Sequence, residues 1–264
     1  MELLYDKKVP FLPVTAPTKL VGTDIGLNNL ITNVNNIGER PIIVKGGIVK
    51  SINQYYNKER THLQSMYDKQ GIPTGQALKK ITDHRDKKLH DFFHKVSRMY
   101  IDWYVAHKID TIIIGWNKGW KQQIKVGKKT NQNFVSIPFS KFLHMLTYKA
   151  EDVGIRVIFT REDYTSKCSF LDKEPIHKHK KYIGNRIHRG LFKTATGILI
   201  NSDVNGGYNI IVHVIPNAFS HRETADGIAG VWLHPVRWRL VGQPATRMTP
   251  DEKEDSRKKT GQFI

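Results

Sequence analysis

The hydrophobic pattern opens in short periods. "KLVGTDIGLNNLITNV", from Lys19 to about Val34, predicts a strand, a turn and a second strand. "PIIVKGGIVK" predicts a third strand, with its turn at Gly46-Gly47. Three strands joined by short turns predict an antiparallel meander. The period then changes. From about Ser51 to Met66 the spacing is helical, and "KQGIPTGQ" (69–76) breaks it. A long helix is expected from about Thr82 to His107, because Leu89, Phe93, Val96, Tyr100 and Trp103 fall on one apolar face.

"DTIIIG" (110–115) reads as a short strand buried on both faces. Pro138 starts another helix, with Phe139, Phe142, Leu143, Leu146 and Ala150 inward and Gly154 as its stop. "IRVIFTRED" (155–163) reads as a second buried strand, and a helix between two such strands predicts a parallel βαβ unit. An irregular basic segment (165–200) and a short helix from about Asn205 follow. The order β-β-β-α-β-α-β is the skeleton of an α/β, ribonuclease-H-like fold, a mixed sheet with flanking helices. The expected division is a lead-in at 1–18, a core at 19–164 and 201–216, an insert at 165–200, and a tail at 217–264. The tail has few periodic signals, and its end, "TPDEKEDSRKKTGQFI", is expected to be disordered.

Charge narrows the function. The 264 residues hold 42 Lys and Arg against 24 Asp and Glu, a formal charge of +18. That excess points to a polyanion, nucleic acid before an anionic membrane, because no long basic amphipathic stretch stands out. One cysteine, Cys168, allows no intrachain disulfide and suits a reducing, cytoplasmic setting. No apolar run approaches the length of a membrane span, and "MELLYDKKVP" lacks the apolar centre of a secretory signal.

The candidate chemistry is a set of acids. This fold can hold Mg²⁺ on carboxylates at neighbouring strand ends, two ions about 4 Å apart. Asp24 lies within an apolar strand, where an acid is unfavourable unless it has a partner or a metal; the alternative is a turn residue. Asp203, in "SDVNGGYN", opens a helix and reads as an N-cap, a ligand or both. A third acid is expected near the end of "DTIIIG", but Gly115 stands there. The next parallel strand ends in "TRED", which offers Glu162 and Asp163; the alternative for Glu162 is an exposed charge at a strand end.

"GTDIGLNNL", "IPFSKFLHMLTYKAEDVGI", "EDYTSKCSF" and "RGLFKTATGILINSDVNGGYNI", in this order, resemble the RuvC-like half of the transposon-encoded TnpB (OrfB) family, over roughly residues 19–220. The resemblance implies Mg²⁺- or Mn²⁺-dependent, RNA-guided cleavage of DNA. It makes Asp24 and Asp203 the first and third catalytic acids and metal ligands, and Glu162 a relocated second one. It implies partners of DNA and guide RNA, with no membrane. The other reading is an inactive or truncated nucleic-acid-binding remnant, since the chain starts only 23 residues before Asp24, where family members carry a larger lobe.

The family's zinc ribbon uses two Cys pairs, and here only Cys168 remains. His177, His179 and His188 could ligate zinc, but "HKHKK" reads better as a solvated basic loop, so no zinc is expected. The insert is then a zinc-ribbon-derived segment held by other contacts or by nucleic acid. Nucleic-acid contacts are expected from Lys118, Trp120, Lys121, Lys125, Lys128 and Lys129 in the loop at 117–133, from Arg98 on the long helix, and from Lys167 beside Glu162. Each of these charges has a solvated face as its plainer alternative.

Overall fold

A computed structural model of the chain describes residues 18–117, 137–188, 190–220, 223–224, 227–228 and 231–240. The main sheet holds β1 (Leu20–Ile25), β2 (Asn29–Asn35), β3 (Ile42–Lys45), β4 (Thr111–Gly115), β5 (Arg156–Thr160) and β11 (Val236–Trp238). Its order is β11-β3-β2-β1-β4-β5. β1–β2 and β2–β3 are antiparallel, as the meander predicts. β1–β4 and β4–β5 are parallel. Helices α1 (Gly47–Lys69), α2 (Gln76–Ala106) and α3 (Phe139–Asp152) come before β5 in the chain, and α4 (Ser202–Val214) follows the insert. This is the mixed sheet with flanking helices expected of a ribonuclease-H-like fold.

The sheet has a core on each face. Val21, Ile25, Ile31, Ile112 and Ile114 pack with Phe93, Val96, Tyr100 and Tyr104 of α2 and Phe142 and Leu146 of α3. Leu20, Val34 and Ile113 pack the other way, against Val204, Tyr208 and Ile211 of α4. β4 is buried at every position because it is covered on both sides. Three buried polar groups pair with each other: Thr23 Oγ1 donates to Asn33 Oδ1 at 2.9 Å, and Asn33 Nδ2 donates to the Tyr104 hydroxyl.

Several boundaries differ from the sequence expectation. The third strand stops at Lys45, and "GGIVK" starts α1 instead of continuing a strand. At Gly46 a side chain is excluded, because a Cβ there would lie 2.3 Å from the Leu27 carbonyl oxygen. α2 begins at Gln76, before Thr82. α3 ends at Asp152, and Gly154 takes φ 79°, the left-handed value that favours glycine. β5 is not buried like β4. It is the edge of the sheet, and Phe159 is 49% exposed. α4 starts at Ser202, three residues ahead of Asn205, with Asn201 as its cap.

Two regions without clear periodicity are ordered. The insert contains a three-stranded antiparallel sheet of β6 (Asn185–His188), β7 (Leu191–Lys193) and β8 (Leu199–Asn201). β8 leads straight into α4. Beyond residue 217, β9 (Glu223–Thr224) and β10 (Gly227–Ile228) form a minimal hairpin. β11 then joins the main sheet parallel to β3, a strand the sequence reading did not place. Its Trp238 ring lies 5.6 Å from that of Tyr100.

Candidate active site

Asp24 sits near the end of β1, paired across β2 with Thr32. α4 crosses β1 at very short range. A Cβ on Gly22 would lie 2.3 Å from the Gly207 carbonyl oxygen, and one on Gly207 would meet Val34 at 3.0 Å. The paired glycines of "NGGYN" thus let helix backbone rest on strand backbone. The same approach brings Gly206 to Asp24: a Cβ there would be 3.6 Å from Asp24 Oδ2.

Asp203 lies in the first turn of α4, not at its cap. Asn201 Oδ1 accepts from the N–H groups of Asp203 (3.0 Å) and Val204 (3.2 Å), so Asn201 caps the helix and leaves the Asp203 carboxylate free to turn toward β1–β2. There Asn29 Nδ2 donates to Asp203 Oδ2. The other end of that amide, Asn29 Oδ1, is buried and has no hydrogen-bond partner among the described residues.

Glu162 lies two residues past β5. Its backbone is fixed from three sides. Its N–H donates to Asn117 Oδ1 at 3.2 Å, and its carbonyl accepts from Thr165 N (3.2 Å) and Thr165 Oγ1 (2.9 Å). Its side chain lies back over the end of β4. A Cβ on Gly115 would lie 2.6 Å from Glu162 Cγ and 2.7 Å from Glu162 Oε1. The position where the resemblance calls for an acid therefore carries glycine, and the space beside that glycine holds an acid from the neighbouring strand. Asp163 points elsewhere and pairs with Arg161 at 2.8 Å.

α4 also anchors the turn that follows Glu162. Asn209 Nδ2 donates to the carbonyls of Thr165 (2.7 Å) and Cys168 (2.8 Å). Asn205 Nδ2 donates to Cys168 O at 2.9 Å, and Asn205 Oδ1 accepts from Phe170 N at 3.0 Å. Both asparagines are buried, so the element that carries Asp203 also positions the one that carries Glu162. The four-residue spacing of Asn205 and Asn209 was the available sequence signal.

The electrostatics tie the acids together. Burial first, then the charges of Glu162 and Asp203, push the Asp24 carboxyl well above its usual range, and Arg186 of β6 opposes the shift. Burial, then Asp163, pushes Glu162 up to about 7. Arg186 thus brings a cation from the insert to the acids, a role the sequence reading missed.

Among the described residues no three His, Cys, Asp or Glu side chains already converge on one ion position. The donors nonetheless suit a hard cation at Asp24, Glu162 and Asp203. All are oxygens, they repel one another, and the orphaned Asn29 Oδ1 lies beside them. The insert does not suit zinc. The Cys168 thiol is held up by burial and lies against the carbonyls of Pro175 (3.4 Å) and His177 (3.8 Å). His179 Nε2 is 2.8 Å from Pro175 O. The cross-links run instead through carboxylates. Glu174, buried, accepts from Ser169 N (2.8 Å) and Ile183 N (2.9 Å), and Asp172 accepts from Ala195 N (2.9 Å).

Of the residues expected to contact nucleic acid, Lys118, Trp120, Lys121, Lys125, Lys128 and Lys129 lie outside the described residues. Arg98 pairs with Asp102 at 2.8 Å on the exposed face of α2. The Lys167 ammonium lies 5.9 Å from the Tyr164 ring centre and 5.8 Å from that of Tyr182.

Comparison with known proteins bears on the fold. The family OrfB_IS605, described as "Probable transposase", matches residues 2–121, and the "Cas12f1-like, TNB domain" family matches residues 139–210. No curated protein matches. A solved Cas12f1–sgRNA–target DNA complex is similar at 15% identity and a TM-score of 0.53, covering 75% of this chain and 51% of that one. A CRISPR-Cas12f ternary complex is similar at 13% identity and a TM-score of 0.53, covering 74% of this chain and 38% of that one. The chain thus spans about half or less of these solved relatives, and at such identities they share its fold. With one family matching along each half of the fold, the chain is TnpB-like (OrfB-like).

Proposed function

We propose that the chain is a RuvC-like, metal-dependent endonuclease that hydrolyses DNA phosphodiesters under the direction of a guide RNA. The observation that carries this reading is geometric: α4, which carries Asp203, crosses β1 so closely that a Cβ on Gly206 would lie 3.6 Å from Asp24 Oδ2, and Glu162 lies over Gly115 at the end of β4, the strand beside β1. These carboxylates, with Asn29 Oδ1, would hold Mg²⁺ or Mn²⁺. Bound there, the metal would supply Lewis acidity and lower the pKa of bound water. Arg186 would meet the charge of the scissile phosphate opposite the acids. Lys167, over Tyr164 and Tyr182, would hold the adjacent backbone. The partners, DNA and guide RNA, follow by analogy from the similar complex with sgRNA and target DNA.

The test is cleavage of single- and double-stranded DNA by the purified chain, with guide RNA transcribed from its flanking element, in Mg²⁺ or Mn²⁺. Asp203→Asn and Glu162→Gln serve as controls. Cleavage lost in both variants supports the three-acid site. Cleavage that survives Glu162→Gln moves the second acid elsewhere. No cleavage by the parent chain, with salt-sensitive binding intact, would favour the alternative of a nucleic-acid-binding remnant.

A further inference from the structure

A cleft of about 600 Å³ runs between α1 and α2, among residues assigned no role above. One wall is α1, with Ile52, Tyr55 and Tyr56; the other is α2, with Lys80, His84 and Lys88. No Asp or Glu lines it. Lys80, His84 and Lys88 follow one another at four-residue spacing, so they form a row along one helix face at intervals of about 6 Å.

Some basic side chains of α2 are paired along the helix and others are not. Lys95 pairs with Asp91 at 2.7 Å and Arg98 with Asp102 at 2.8 Å, each across one helical turn. Those charges are largely spent on the helix itself. Lys80, His84 and Lys88 make no ion pair among the described residues. They face Tyr55, whose ring is 61% exposed.

The base of the cleft is rigid. Arg85 lies 5.2 Å from the Tyr56 ring centre, and its Nε donates to Asn53 Oδ1 at 2.9 Å. The Tyr56 hydroxyl is 3.2 Å from Thr82 Oγ1. An apolar and aromatic floor, one open ring and a row of two lysines with a histidine donor between them together match single-stranded nucleic acid. Bases stack on aromatic faces while the backbone follows the positive row. A protein partner would be expected to find acids as well as bases on the wall.

We propose that the α1–α2 cleft binds single-stranded nucleic acid, with a base on Tyr55 and the backbone along Lys80, His84 and Lys88. The inference rests on the nucleic-acid reading above but not on cleavage. It defines a second contact region, separate from the carboxylates.

The test uses the full chain in EDTA, where no cutting occurs, and fluorescein-labelled oligo-U and oligo-dT of about 15 nucleotides. Anisotropy gives Kd against salt. Tyr55→Ala should raise Kd about fivefold to a hundredfold. Lys80→Ala/Lys88→Ala should raise it and flatten the salt slope by about 0.7 for each lysine removed. Comparison of the two oligomers tells RNA from DNA. Crosslinking of 5-iodouracil oligomers should label the tryptic peptide 51–58, "SINQYYNK". Tyr55 is exposed, so an unchanged melt would show that both variants fold.

Unaltered Kd in both variants, or crosslinks that avoid residues 51–88, would overturn the proposal. So would a dimer that dissociates on Tyr55→Ala while Kd holds, because the occupant would then be a second copy. A chain that binds through the cleft but cuts nothing would sink the nuclease reading and leave this one standing.

Discussion

Gly115 is informative at the residue scale because of what occupies the space beside it. Glu162 Cγ and Oε1 lie 2.6 and 2.7 Å from where a Cβ would sit, and Ile210 Cδ1 lies at 2.6 Å. Both neighbours are the movable ends of side chains, so Gly115→Ala should fold, with overpacking of about 1–3 kcal/mol. It should nonetheless displace the carboxylate, and a misplacement near 1 Å costs about a hundredfold in rate. The expected outcome is a small loss of Tm and a large loss of cleavage, read on one preparation by melting and by nuclease assay. A cleavage rate unchanged in Gly115→Ala would mean that Glu162 does not act from the place it occupies here. The glycine was visible in the sequence as a missing acid, and "TRED" offered Glu162 or Asp163 in its stead; that Glu162 is the one lying over Gly115 follows only from the β4–β5 pairing and the turn beyond it.

At the scale of elements, α4 and the insert are one unit. Asn205 and Asn209 fasten the turn after Glu162 to the helix that carries Asp203, while Glu174 and Asp172 cross-link the insert. A ribbon held in this way should not depend on zinc. Added zinc should leave Tm unchanged, and elemental analysis should find well under one zinc per chain. Glu174→Gln should lower stability by roughly 2 kcal/mol, because it sets an amide NH₂ against one of two backbone donors. A Tm that rises with zinc would show that metal-binding groups were overlooked. The Cys count alone raised the question, but the replacement was illegible. A buried carboxylate that accepts two backbone N–H groups looks in sequence like any surface Glu.

On the scale of the whole molecule, the fold gathers negative charge at one end of the sheet in a strongly basic chain. Glu162 is raised from an ordinary 4.5 to about 7. The folded state therefore holds that proton more tightly than the unfolded chain does. Without metal, the contribution of Glu162 to stability falls as pH rises from about 4.5 to 7. In EDTA, the parent chain should lose more Tm across this window than Glu162→Gln. Added Mg²⁺ should raise Tm more at pH 8 than at pH 5, since cations stabilise the ionised acids. A parent chain that tracked the variant across the window would remove Glu162 from the charged cluster.

Much of the architecture is local and could be read from the chain alone. Period-two and period-3.6 patterns set the meander, the long helix and the βαβ unit, because each reports which face of an element leaves water. Asp24 and Asp203 stood out because acids are unusual in an apolar strand and beside a Gly-Gly helix start. The net charge of +18 pointed toward a polyanionic partner. Tertiary structure decided the rest. It placed Glu162 over Gly115 while Asp163 turned to Arg161, brought Arg186 to Asp24, and set β11 beside β3. Apart from the Asp163–Arg161 pair, these are meetings of residues far apart in the chain. They depend on strand order and on the close crossing of α4 over β1, neither of which leaves a periodic trace at the residues concerned.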